Sequence, residues 1–182
     1  MKRFILTGAP GAGKTAVLRQ LELNGFSVVE EAATDVIALE QARGVAEPWR
    51  CPSFCDSIVA LQKTRQVRAA NEIAEFQFHD RSVVCTAALA TYLGYAFSKV
   101  LLEELERIRR ERSFERRVFF LENLGFVTPS AARRISFEES LRFERIHEEM
   151  YRMQGFEVFM IRRGSISERA AAIVDAITLR ID

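Results

Sequence analysis

Phe4-Ile5-Leu6-Thr7-Gly8-Ala9-Pro10-Gly11-Ala12-Gly13-Lys14-Thr15 is the stretch on which the fold turns. Its last eight residues satisfy G-x-x-x-x-G-K-[ST] at every required position. An apolar run precedes them and a helical pattern from Lys14 to Leu23 follows, so the loop falls between a strand and a helix. Glycines there let successive backbone N–H groups curl round a phosphate. The helix that follows aims its positive end at the same anion. Gly8, Ala9, Pro10, Gly11, Ala12, Gly13, Lys14 and Thr15 are therefore candidate nucleotide-binding residues. Lys14 is expected to reach the β- and γ-phosphates, and the Thr15 hydroxyl to ligate Mg2+. The implied cofactors are a nucleoside triphosphate, ATP or GTP, and Mg2+. The loop does not separate kinase, hydrolase, switch and motor; the other strand ends must.

Outward from the loop, short apolar runs alternate with helical patterns. Phe4 to Thr7 reads as a strand, Lys14 to Leu23 as a helix stopped by Asn24-Gly25, and Phe26 to Val29 as a second strand. A helix to about Ala42 comes next, then a loop holding Gly44, Pro48 and Pro52, and a helix from Asp56 to about Asn71. Phe76 to His79 is a third strand. Thr86 to about Arg112 is helical with a break near Gly94, and Phe97, Leu101, Leu105 and Ile108 form one stripe. Val118 to Leu121 and Glu157 to Ile161 are the fourth and fifth strands. Capping boxes at Ser136/Glu139 and Ser165/Glu168 precede the last two helices, the final one from Arg169 to about Leu179. Such alternation predicts an α/β sandwich of three layers, a parallel sheet with helices on both faces. Ligands of these sheets lie beyond the carboxyl ends of the strands. No linker or repeat interrupts the pattern, and residues 1–182 are expected to form one domain.

The 182 residues are 48% hydrophobic, enough to bury a core and too few for two domains. Basic and acidic residues balance, 26 against 25, which speaks against a strongly basic nucleic-acid binder. No apolar run approaches the ~18 residues of a membrane span. No stable nucleic-acid or membrane partner is expected. The start, Met1-Lys2-Arg3-Phe4-Ile5-Leu6, is basic then apolar but stops at Thr7, unlike a signal peptide. Cys51, Cys55 and Cys85 make a poor disulfide framework and read as reduced thiols of a cytoplasmic protein.

The strand ends supply the candidates for chemistry. Glu30 and Glu31 close strand two, and a carboxylate there can act as general base on an acceptor hydroxyl. Strand alternation sends the two to opposite faces. Asp80-Arg81 closes strand three: Asp80 is a candidate Mg2+ ligand, and Arg81 can clamp phosphate or orient an acid. Glu122, after strand four, competes with Asp80 for the metal. Arg133 and Arg134 can close over a transferring phosphoryl. Arg162 and Arg163 follow strand five, where a guanidinium can stack on the nucleotide base. Trp49 can wall an acceptor pocket, Cys85 reads as a core or pocket-wall thiol, and His79 as packing or surface. Arg142, Arg145 and His147 sit in a charge-dense stretch and read as a solvated helix face.

With these residues laid out, the chain resembles a kinase-related P-loop NTPase family. It includes small proteins labelled AAA-domain ATPases and the ribosylnicotinamide-kinase domain of a bifunctional NAD-biosynthesis regulator. The resemblance rests on Gly8 to Thr15, Val28-Val29-Glu30-Glu31-Ala32-Ala33, Pro48-Trp49, Asp80-Arg81, Ser136-Phe137-Glu138-Glu139 and Gly155-Phe156-Glu157-Val158. Asp80-Arg81-Ser82 also looks like the D-R-S triplet of deoxynucleoside kinases. The resemblance implies a P-loop NTPase fold of five mainly parallel strands in the order 2-3-1-4-5. It implies a base at Glu30 or Glu31 supported by Arg81, and kinase-like lid arginines at Arg133 or Arg134, in a lid near residues 126–140. The chain departs from the pattern at Cys85, where many relatives carry an acid, and at Pro129, near which many carry another.

Two functions follow. The first is a kinase that moves a γ-phosphoryl to a small nucleoside-, nucleotide- or ribosylnicotinamide-like acceptor. The second is a nucleotide-binding switch or slow NTPase acting through a partner, which Cys85 and Pro129 favour.

Overall fold

Alternation within the strands decides how the molecule is layered. The computed structural model describes residues 1–125 and 136–178. Its strands are β1 (Lys2–Thr7), β2 (Ser27–Val29), β3 (Phe76–Asp80), β4 (Arg117–Leu121) and β5 (Glu157–Ile161). They form one sheet in the order β2-β3-β1-β4-β5, and every neighbouring pair is parallel. On β1, Phe4 and Leu6 join Phe78, Phe119 and Leu121 on one face, under helices α1 (Lys14–Leu23) and α7 (Ile166–Thr178). Ile5 points the other way, with Val118. That face is covered by α3 (Ser53–Ala69), α4 (Val83–Leu93), α5 (Lys99–Arg110) and α6 (Phe137–Met153). Ile5 and Leu6 are fully buried, each side chain contributing about 1.5–3 kcal/mol of apolar transfer. A further helix, α2 (Ala33–Ala42), packs through Val36 and Ile37 on Phe54 and Ile58 of α3. This is the three-layer α/β architecture and strand order anticipated, with an all-parallel sheet.

A sheet buried on both faces leaves polar strand residues to find internal partners. All five residues of β3 are buried. Gln77 Nε2 donates to Ser27 Oγ at 2.9 Å and to the Ala69 carbonyl at 3.0 Å, so its Oε1 is left to accept from His79 Nε2 at 2.9 Å. His79 is thus a packed core residue; burial, aided by the Arg3 charge, pushes its pKa down to about 3.

Helix boundaries follow caps more than apolar periodicity. The helix expected from Thr86 begins at Val83, because Ser82 Oγ accepts from Val84 N. It ends at Gly94 in the left-handed region, and α5 starts afresh at the Ser98 cap. The capping boxes at Ser136/Glu139 and Ser165/Glu168 both form. The last of them starts α7 at Ile166, three residues before the expected Arg169. Among the described residues, no helix is long and apolar enough to cross a membrane.

Candidate active site

Gly8, Gly11 and Gly13 all have positive φ, and the loop they form joins the carboxyl end of β1 to the amino end of α1. At Gly8 the requirement is steric as well: a Cβ there would lie 2.5 Å from the Leu121 carbonyl oxygen. No side chain caps α1 at Gly13, and its first turn holds no acid. Its first N–H groups thus stay available to an anion. Lys14 Nζ donates to the Ala9 carbonyl at 2.9 Å, bending back over its own loop. Burial and the nearby Arg81 charge lower the Lys14 pKa to about 8, with Asp80, Glu31 and Cys85 opposing.

The two carboxylates after β2 separate. Glu31 Oε1 lies 2.8 Å from Arg81 Nε, a partly buried ion pair off line for a hydrogen bond. Glu31 Oε2 accepts from Thr34 Oγ1 at 2.7 Å. Glu30 is exposed and pairs with Arg19. Arg65 of α3 pins both residues from below, donating to their carbonyls and pairing with Asp35. Burial alone would raise the Glu31 carboxyl, but Arg81, Thr34 and Lys14 outweigh it and hold the group below its ordinary value. Arg81 takes its position from a backbone held at φ 72°, with its N–H donating to the Leu6 carbonyl at 2.9 Å. Such a left-handed conformation is uncommon outside glycine and clusters at functional sites.

Asp80 ends β3 beside the loop. Its Oδ2 accepts from Thr15 Oγ1 at 3.1 Å, and its Oδ1 is buried without a hydrogen-bond partner. A buried carboxylate oxygen lacking a donor is costly. Next to the threonine hydroxyl it fits a hard cation such as Mg2+. Burial raises the Asp80 pKa and the Lys14 charge opposes it. Glu122 is turned elsewhere: its Oε2 accepts from the Arg163 backbone N–H at 3.0 Å. Lys14 and Arg81 therefore face Glu31 and Asp80, two cations against two carboxylates.

Beside this cluster opens a cleft of about 420 Å³, lined by Lys14, Thr15, Glu31, Arg81 and Cys85 at its polar end. Trp49, Phe54, Tyr92, Phe143, Ile37 and Leu89 form apolar walls. Trp49 sits in a short turn, Pro48–Arg50, whose carbonyl at Trp49 accepts from Tyr95 OH at 2.9 Å. The Tyr92 and Phe143 rings lie 4.7 Å apart. Gln62 and Thr86 add a polar edge, with Thr86 Oγ1 donating to Gln62 Oε1 at 2.9 Å. Cys85 is buried in the wall, its Sγ 3.1 Å from Thr7 Oγ1 and 3.0 Å from Tyr151 OH.

Other candidates lie apart or beyond view. Arg162 and Arg163 are exposed after β5, and Arg163 Nη2 donates to Asn123 Oδ1 at 3.0 Å. Arg133 and Arg134 lie outside the described residues. His147 is not on a solvated face: it is fully buried, with Nε2 3.2 Å from Arg81 Nη1. It falls in phase with the buried Phe143, Met150 and Tyr151, one turn apart on α6. Arg169 also escaped the sequence reading. Its Nη1 donates to the Ala12 carbonyl at 2.7 Å and its Nη2 to the Glu122 carbonyl at 3.0 Å, tying the phosphate loop to the residue that follows β4. The signal for both was a polar residue in step with an apolar helical stripe; for Arg169 that stripe is Ile173, Ala176 and Ile177.

Loop and sheet order define a kinase-like P-loop NTPase. The chain belongs to the AAA_28 family of AAA domains, whose model matches residues 3–169. Its fold is similar to that of deoxyadenosine kinase from M. mycoides with products dCMP and a flexible dCDP bound. There the TM-score is 0.68 at 14% identity, over 97% of this chain and 99% of that one. The same kinase with bound dCTP gives a TM-score of 0.65 at 14% identity, over 98% and 100%. NadR protein in complex with NAD and AMP-PNP gives 0.68 at 18% identity, over 97% of this chain and 49% of NadR. No curated protein matches by sequence.

Proposed function

We propose that this protein is a single-domain kinase transferring the γ-phosphoryl of ATP or GTP to a hydroxyl of a small nucleoside- or nucleotide-like acceptor. One observation carries the proposal: the paired Glu31 and Arg81 line the same aromatic-walled cleft as Lys14 and Thr15. Its volume of about 420 Å³ leaves room for a second small molecule beside the loop. Flat aromatic walls suit a planar ring. The deoxyadenosine kinase and NadR neighbours, whose structures hold nucleotides, support the same reading.

In this account Lys14 and the loop N–H groups hold the β- and γ-phosphates. Glu31, kept ionised, accepts the proton of the acceptor hydroxyl as its oxygen bonds to phosphorus and the nucleoside diphosphate leaves. Arg81 orients Glu31 and offsets charge on the transferring group. Thr15 and Asp80 would hold Mg2+, which when bound neutralises phosphate charge. Arg133 and Arg134 would serve as lid arginines, and Arg162 or Arg163 would border the donor base.

The test is incubation with Mg2+ and γ-labelled ATP or GTP, with and without a pool of nucleosides, nucleotides and ribosylnicotinamide. A labelled small product that is lost in Lys14→Ala is expected. Hydrolysis or binding without an acceptor-dependent product would favour the switch instead.

A further inference from the structure

His147 has two ring nitrogens whose neighbours leave it one chemical form. Nδ1 lies 3.0 Å from the Phe143 carbonyl oxygen, which can only accept a hydrogen bond. Nε2 lies 3.2 Å from Arg81 Nη1, which can only donate. The proton must therefore sit on Nδ1, leaving the Nε2 lone pair facing Arg81. The ring is fully buried, with the Phe143 ring edge-on against it at 4.2 Å. It cannot turn to offer another arrangement without losing both bonds.

We propose that His147 is a positioning residue, its Nε2 lone pair holding Arg81 so that the guanidinium stays aimed at Glu31. The role in turnover rests on the kinase function proposed above; the positioning itself does not. An arginine side chain held only at Nε can swing about its long stem. The His147 acceptor at Nη1 supplies the hydrogen bond that the ion pair at Nε lacks, and fixes the plane of the guanidinium. A neutral imidazole does this without competing with Glu31 for the Arg81 charge, as a carboxylate there would. Burial and the Arg81 charge keep His147 well below the ordinary histidine value, which agrees with the neutral form.

Two conservative variants separate the ring nitrogens. His147→Gln places a carbonyl acceptor near the Nε2 position and keeps the contact to Arg81. His147→Asn reaches only the Nδ1 position and keeps the bond to Phe143. The direct readout is the Arg81 Nε–Hε resonance, assigned by its absence in Arg81→Lys. With only two histidines in the chain, ¹⁵N spectra also report the His147 tautomer. A proton on Nδ1, and an Arg81 signal preserved in His147→Gln but shifted or lost to exchange in His147→Asn, are expected. In the transfer assay His147→Asn should lose on the order of 10-fold to 100-fold in kcat with nucleotide KM unchanged, and His147→Gln should recover most of it. A proton on Nε2, or an Arg81 resonance indifferent to both variants, would overturn the proposal. If the wild type transfers no phosphoryl, the kinase function fails while the Arg81 resonance still decides the positioning role.

Discussion

Glu31 Oε1 stands 2.8 Å from Arg81 Nε, where the segment after β2 meets the end of β3. Removing Arg81 would leave a partly buried carboxylate without its main counter-charge. Arg81→Leu is expected to cost about 3 kcal/mol in urea denaturation and to raise the Glu31 pKa. The pair also sets a pH window. Because the folded Glu31 lies below its ordinary 4.5, its stabilisation is present above that value and is lost as pH falls through the folded one. Arg81→Leu should flatten this acid limb; an unchanged limb would count against the pair.

Lys14 runs the opposite way. Its pKa falls from 10.5 to about 8 on folding, so the unfolded chain binds more protons between those values. Stability without nucleotide should therefore rise across that window, by about 3 kcal/mol at most, relative to a Lys14→Met variant. Bound phosphate would restore the Lys14 charge, so nucleotide binding above pH ~8 should take up a proton. Calorimetry in buffers of differing ionisation enthalpy measures it; proton release, or no difference from Lys14→Met, would contradict the geometry.

Two glycines with positive φ make a controlled pair. A Cβ at Gly8 meets the Leu121 carbonyl oxygen at 2.5 Å, a backbone atom that cannot rotate away, whereas one at Gly94 meets nothing within 4 Å. Gly94→Ala should cost roughly 1 kcal/mol, for backbone strain alone. Gly8→Ala should cost more than about 3 kcal/mol or abolish nucleotide binding. Equal melting temperatures for the two would contradict the close approach of loop and β4.

Asp80→Asn keeps the size of the side chain and removes its charge. Nucleotide affinity in EDTA should stay near that of the wild type. The gain in affinity on adding Mg2+ should fall by about tenfold, or roughly 1.4 kcal/mol. Fluorescent-nucleotide titrations with and without Mg2+ measure both terms, and a full Mg2+ effect in Asp80→Asn would move the metal elsewhere.

The layers were legible because β1 alternates Phe4, Ile5 and Leu6 between two apolar faces, and because Gly8 to Thr15 announces both a turn and a helix start, whereas the strand order came only from the family resemblance. The choice between Glu30 and Glu31 was not. It depends on Arg65 and Arg81 arriving from helices and strands distant in sequence. Of the cleft walls, only Trp49 and Cys85 were legible; Phe54, Tyr92 and Phe143 belong to three different helices, and only tertiary packing brings them together. His147 was misread because its neighbours Arg145, Glu148 and Glu149 are charged. Its place in step with Phe143 and Tyr151 outweighs them.

The most direct test of the account compares Glu31→Gln with Glu30→Gln in the acceptor-dependent transfer assay. Glu31 shares the cleft with Lys14 and Arg81, whereas Glu30 pairs with Arg19 in solvent. Glu31→Gln should lower kcat on the order of 100-fold while binding nucleotide as the wild type does, and Glu30→Gln should turn over normally. Full activity in Glu31→Gln, or equal losses in both variants, would contradict the assignment of Glu31 as the base.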